Sequence, residues 1–106
     1  MKEDLSPYSE SQIQTALIAR VMSHPARIAI LQYIINNGGC CFTNIRDVLP
    51  LAKATTSQHI KELVNSGLIV SDGNETRPKY CINKEITAQA KELFAKVLDC
   101  VCSNNK

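Results

Sequence analysis

No apolar run in this chain of 106 residues exceeds four; the longest are Ala16–Ala19 and Ile28–Leu31. A membrane-spanning helix needs roughly 18 or more, so none is expected. The basic-then-apolar opening of a secretory leader is missing as well, since the chain starts Met1-Lys2-Glu3-Asp4. There is no internal repeat and no low-complexity segment. The chain has no Gly-rich phosphate loop, no pair of acids in a structural context and no Ser-His-Asp constellation. An enzyme is therefore not expected. These absences describe a soluble, cytoplasmic, non-catalytic protein.

What is present suffices for a core. Leu, Ile, Val and Phe supply 28 of the 106 residues, above the ~20% below which chains stay disordered. One domain's worth of chain is at hand. Lys and Arg number twelve against ten Asp and Glu, a net charge of +2. The first ten residues hold three acids and one base, so the remainder is the more basic part. That balance is compatible with a nucleic-acid partner without requiring one. Five cysteines (Cys40, Cys41, Cys81, Cys100, Cys102) form an odd set, and without a secretion signal a disulfide framework is not expected.

Along the chain, residues 1–8 read as a flexible arm. Ser9-x-x-Gln12 has capping-box spacing and predicts a helix from about Glu10, with Ile13, Ala16, Leu17 and Val21 as its apolar stripe. Pro25 ends that segment and suits the first position of the next helix, through about Asn36. That helix is apolar on more than one side and should lie centrally. Gly38 and Gly39 stop it. Cys40–Phe42 reads as extended, and Thr43 as the cap of a short helix through Leu49. A fourth helix spans 53–66 with Gly67 as its left-handed cap. Leu68–Asp72 and Lys79–Asn83 form a hairpin with a polar tip, residues 73–78. A last helix runs 84–102, before a frayed tail at 103–106. The fold class is mainly α with a small β-hairpin wing, and residues 9–102 make one winged helix-turn-helix domain.

The fourth helix carries the functional signal. At ~100° per residue, Ile60, Leu63, Val64 and Gly67 fall beside Thr56 and face inward, while Ala54, Gln58, Lys61 and Asn65 lie opposite, flanked by Thr55 and Ser57. Small and hydrogen-bonding side chains suit a major groove. A Gln amide both donates and accepts, as adenine's edge requires, and Lys53 and Lys61 can neutralise phosphates. Arg77 and Lys79 in the hairpin read as phosphate contacts, with a solvated turn as the alternative. His59 falls at the border of core and surface, leaving two roles open: a DNA contact or an anchor of the helix.

Three segments together resemble a known family. Ser23-His24-Pro25-Ala26-Arg27-Ile28-Ala29-Ile30-Leu31, then Leu49 through Leu63 (LPLAKATTSQHIKEL), then Ser66-Gly67-Leu68-Ile69 are similar to the ArsR-type winged-helix transcriptional repressors. The resemblance covers about residues 13–83. It implies a homodimer in which the first and last helices pair, the fourth helix reads the groove and the wing touches the backbone. The expected interface residues are Ile13, Leu17, Ile86, Ala90, Leu93, Phe94, Val97 and Val101. The expected DNA contacts are Lys53, Ala54, Thr55, Ser57, Gln58, His59, Lys61, Arg77 and Lys79. The family's metal-responsive members carry a Cys-x-Cys whose positions fall here on Cys41 and Thr43, so the motif is broken, and residues 84–102 hold no His.

No cofactor is expected. The alternative is a thiophilic metal such as Zn or Cu(I), for which Cys40, Cys41, Cys100 and Cys102 are the weak candidates, with Cys81 read as a small buried hydrophobe. A redox role is a third reading for Cys40 and Cys41. The competing function is a winged-helix module that meets a protein instead of double-stranded DNA. Salt separates the two, because phosphate binding weakens steeply with salt.

Overall fold

The computed structural model describes residues 4–42, 45–73 and 76–99, with backbone alone at Phe42, Arg46 and Val48. Its elements run α1 (Glu10–Val21), α2 (Pro25–Asn36), β1 (Cys40–Phe42), α3 (Ile45–Val48), α4 (Lys53–Ser66), β2 (Ile69–Gly73), β3 (Pro78–Ile82) and α5 (Lys84–Leu98). The Thr43 cap, the hairpin residues Asn74 and Glu75, the segment Cys100–Cys102 and the tail 103–106 lie outside the described residues.

Local chemistry sets the helix ends. Ser9 Oγ accepts the Gln12 N–H at 3.1 Å, and the Gln12 side chain takes the Ser9 N–H at 2.9 Å, the reciprocal pair of a capping box. His24 caps α2, its Nδ1 accepting the Ala26 N–H at 3.0 Å ahead of Pro25. Asn83 Oδ1 caps α5 through the Ile86 N–H at 3.2 Å. Gly67 ends α4 at φ 86°, a conformation side chains avoid, with its N–H on the Val64 carbonyl. Gly73 opens the wing turn at φ 90°, where a Cβ would collide with the Arg77 carbonyl oxygen.

The core is aliphatic. Ile30 and Ile34 of α2, Ile45 of α3, Leu63 of α4, and Leu68 and Ile69 leading into β2 are fully enclosed; Leu31, Ile60 and Ala90 complete the cluster. The centrality expected of α2 holds for Ile30, Leu31 and Ile34, yet Ile35 stands 57% exposed. A helix packed by neighbours on part of its circumference leaves its last face to solvent.

Two features depart from the sequence expectation. β1 is not an isolated extended piece. It pairs antiparallel with β3, giving a three-stranded sheet ordered β1-β3-β2. Register then opposes Cys40 to Cys81, and the two are joined as a disulfide, their Cα atoms 4.0 Å apart. Cys81 is therefore a cross-link and not a buried thiol, because a long-range strand pairing brings together two cysteines 41 positions apart in sequence. Pro78 is tolerated as the first residue of β3. The second departure is α5, which ends at Leu98, with Asp99 as its extended C-cap.

The Cys40–Cys81 bond closes a loop of about 40 residues that contains α3, α4 and most of the wing. Removing such a constraint frees the unfolded chain and is expected to cost ~2–4 kcal/mol. Urea unfolding with and without reductant measures it. The wild type should lose that stability on reduction, while a Cys40→Ala/Cys81→Ala variant should start lower and ignore the reductant.

Candidate nucleic-acid interface

α4 divides cleanly. Thr56, His59, Ile60 and Leu63 are buried, and Lys53, Ala54, Thr55, Ser57, Gln58 and Lys61 are exposed. Its N-cap is Ala52, which offers no side-chain hydrogen bond, and its first turn holds no acid. A helix N-terminus without a cap or carboxylate presents amide donors and the positive dipole end to whatever anion approaches. Lys53 adds a full charge at the same end. Gln58 is already engaged: its Nε2 donates to Glu62 Oε2 at 3.2 Å, so base recognition would exchange that bond for one to a base edge. On the wing, Arg77 is exposed and Lys79 half-buried, the latter opposite Asp72 across the β2–β3 ladder.

His59 is the correction. Placed among the DNA contacts from sequence, it is only 8% exposed and belongs to the inner face of α4. Its Nδ1 accepts a hydrogen bond from Arg27 Nε at 3.0 Å. Arg27 also donates through Nη1 to the Val21 carbonyl, again at 3.0 Å. The His24 ring lies 4.4 Å from that of His59, tilted by 46°. The two histidines are far apart in sequence, with a helix, a strand and another helix between them, so sequence order gave no reason to join them. The signal that could have done so is the buried period of α4, which puts His59 on the stripe of Thr56, Ile60 and Leu63, toward the start of α2. Burial holds the His59 pKa below its ordinary value, and electrostatic interactions with His24 and Arg27 act in the same direction.

Among the described residues no group of three His, Cys, Asp or Glu side chains is placed to hold an ion. Cys40 is committed to Cys81. Cys41, its neighbour along β1, is a half-buried thiol whose pKa burial pushes up. Cys100 and Cys102 lie outside the described residues.

The expected dimer residues separate into two groups. Ala90 is 6% exposed and sits in the core of its own protomer, with Ile86 and Phe94 packed against it. A small residue at that point lets α5 approach the body closely, and Ala90 packs into the core of its own protomer. Ile13 and Leu93 are half-buried. Leu17, Val97 and Leu98 are 50%, 64% and 75% exposed. α1 buries no residue at all. Val101 lies outside the described residues.

The state of His59 makes stability depend on pH. The folded protein releases this proton more readily than the unfolded chain, whose histidine titrates near ~6.5. Below that pH the unfolded state binds the extra proton, so stability is complete above it and is lost as pH falls through the lower, folded value. Urea midpoints should decline from about pH 6.5 downward, before carboxylates begin to titrate near ~4, and His59→Asn should flatten that decline.

Comparison with known proteins agrees with this geometry. Residues 22–72 match a family model described as a helix-turn-helix domain. The chain is 30% identical over 82 residues to the HTH-type transcriptional regulator YgaV of Escherichia coli K12, spanning 77% of this chain and 83% of that one. It is 26% identical over 97 residues to the arsenical resistance operon repressor of Staphylococcus xylosus, spanning 88% and 92%. Among solved structures, a possible transcriptional regulator for arsenical resistance superposes with TM-score 0.65 at 22% identity, covering 82% of this chain and 94% of that one. A homodimeric winged helix-turn-helix domain from Mycobacterium bovis superposes at 0.59 and 18%, covering 93% and 88%. With a buried stripe and an acid-poor outer face on its fourth helix, a wing beside it and these relatives, the chain belongs to the ArsR-type winged helix-turn-helix family of DNA-binding transcriptional regulators.

Proposed function

We propose that the protein is a cytoplasmic, homodimeric repressor that reads an inverted repeat in double-stranded DNA. Residues 53–66 lie in the major groove and the wing, residues 72–80, meets the backbone. One observation carries this reading: α4 buries Thr56, His59, Ile60 and Leu63 while exposing Thr55, Ser57, Gln58 and Lys61 beyond an uncapped, acid-free N-terminus. A purely solvated helix gains from an acid or a capping side chain at its start. A groove-reading helix is better without one, because phosphate takes the place of both. The names of the relatives, one a repressor and one a homodimer, support the regulatory and dimeric parts.

The dimer follows from surface that one protomer leaves uncovered. Leu17 on α1 and Val97 and Leu98 on α5 are apolar and exposed. A two-fold partner would cover both helices at once, since α1 and α5 already pack together within the protomer. Such a dimer presents two copies of α4, and their half-sites should lie about one helical turn (~34 Å) or a multiple apart.

Two predictions follow from this arrangement. Gln58→Ala should cost ~1–3 kcal/mol on the cognate duplex and little on scrambled DNA. Lys61→Ala should weaken both alike and reduce the salt slope by about one unit per subunit. Titrations of both duplexes at several salt concentrations decide it. Equal losses for both variants on both duplexes would mean that α4 does not read sequence. Absence of binding to any duplex at low salt would promote a protein partner instead. For the dimer, Val97→Glu is the sharper variant, because Val97 is exposed in the protomer and its replacement spares the fold. Sedimentation should show a folded monomer, and an unchanged dimer would reject the α1/α5 seam.

A further inference from the structure

Arg27 joins three elements through one side chain. Its Nε donates to His59 Nδ1 on α4 and its Nη1 to the Val21 carbonyl at the end of α1, each at 3.0 Å, while its own backbone belongs to α2. His24, the cap of α2, closes the cluster with its ring 4.4 Å from that of His59. Both imidazoles accept through Nδ1, one from Arg27 and the other from the Ala26 N–H. A ring nitrogen that accepts carries no hydrogen, so in this arrangement the His59 ring is neutral, with its proton on Nε2.

A second proton on His59 has one place to go, the Nδ1 lone pair that Arg27 uses. Its arrival replaces an acceptor with a donor and sets an imidazolium against a guanidinium that cannot release its own proton. The bond becomes a repulsion between two cations held side by side. The remaining anchors of α4 are Thr56, Ile60 and Leu63, none of which changes with pH. The helix therefore stays attached to the body while it loses a directional contact that helps set its position along α2.

We propose that Arg27 and His59 form a proton-gated clamp that holds α4 in its DNA-reading position, so that a proton on His59 Nδ1 releases DNA. The inference rests on the reading that α4 contacts DNA. His59 here is a positioning residue: it is buried, but it adjoins Gln58 in the chain and lies within one turn of Thr55, Ser57 and Lys61. Among the described residues, no other ionisable group acts on His59 to favour the added proton. Arg20 of α1, Arg27 of α2 and Glu62 of α4 line one open cleft, in which Glu62 is bound to Gln58. Asp47 of α3, Asp72 of β2 and Lys53 and Lys61 of α4 are exposed to solvent. His24 and Arg27 both oppose a charge on His59, as does its burial.

The sign makes the test diagnostic. Protonating histidines ordinarily strengthens binding to phosphates by adding positive charge. The clamp predicts the reverse. At fixed ionic strength, wild-type affinity for its selected duplex should be level above about pH 7 and fall about tenfold or more by about pH 5.5. In His59→Asn the amide oxygen stands near the place of Nδ1 and can accept from Arg27, but it does not titrate; affinity should vary less than about twofold over the same range. His24→Asn keeps the helix cap and should keep the wild-type fall. Arg27→Lys keeps the charge without the Nε fork and should weaken binding at every pH.

The same profile in wild type and His59→Asn overturns the clamp. Should His59→Asn fail to fold, an NMR titration of the wild type without DNA decides instead. The backbone amides of Thr55 to Lys61 should shift with the midpoint of the His59 ring, and amides that stay still while the ring titrates overturn the proposal. Failure to bind any duplex at every pH overturns the DNA reading of α4 itself, a result distinct from pH-independent binding, which overturns the clamp alone.

Discussion

A helix can present one face to DNA only if its opposite face is held in one register, and here that hold is the stripe of Thr56, His59, Ile60 and Leu63 against the body. Ile30 and Ile34 of α2, Ile45 of α3, and Leu68 and Ile69 below α4 are enclosed to within a few per cent. Close packing of this kind tolerates little sliding. Apolar contact nevertheless lacks direction. Arg27 supplies direction as a polar link between α4 and the α1–α2 junction, with its two hydrogen bonds aimed at different elements.

The sheet does for the wing what the core does for α4. An isolated two-stranded hairpin is marginal in water. β1 adds a third strand on the far side of β3, so that β3 becomes central and the wing gains a fixed base. The Cys40–Cys81 bond then joins that base to the strand ahead of α3. Wing and helix-turn-helix are thus coupled through β1, a three-residue element, and any change at its cysteines acts on both.

The outer helices contribute differently. α1 carries no buried residue and α5 only Ala90, so neither completes a core within one protomer. Their exposed Leu17, Val97 and Leu98 are apolar surface that a single protomer leaves open to water. The same arrangement leaves Lys53, Ala54, Thr55, Ser57, Gln58 and Lys61 of α4 exposed. In the proposed dimer, α1 and α5 would supply the self-associating surface and the exposed side chains of α4 the groove-reading one.

Much of this was legible along the chain, because the signals were local. The capping box at Ser9 and Gln12, Pro25 at the start of α2, the glycine stop after Asn36, and Gly67 and Gly73 each act within a few residues, and the bounds of α2 and α4 follow from them. The exposed face of α4 was equally readable, since helical period alone separates Gln58 and Lys61 from Ile60 and Leu63. What tertiary structure decided was every relation across distance. Pairing of β1 with β3 turned Cys40 and Cys81 into partners, although nothing near either residue names the other. Close approach of α5 to the body made Ala90 a core residue instead of a seam residue. Packing of α2 on α4 brought His24, Arg27 and His59 together and moved His59 from the list of DNA contacts to the anchor of the helix. Period places a residue on a face; only the neighbouring element determines whether that face meets solvent, a guanidinium or another ring.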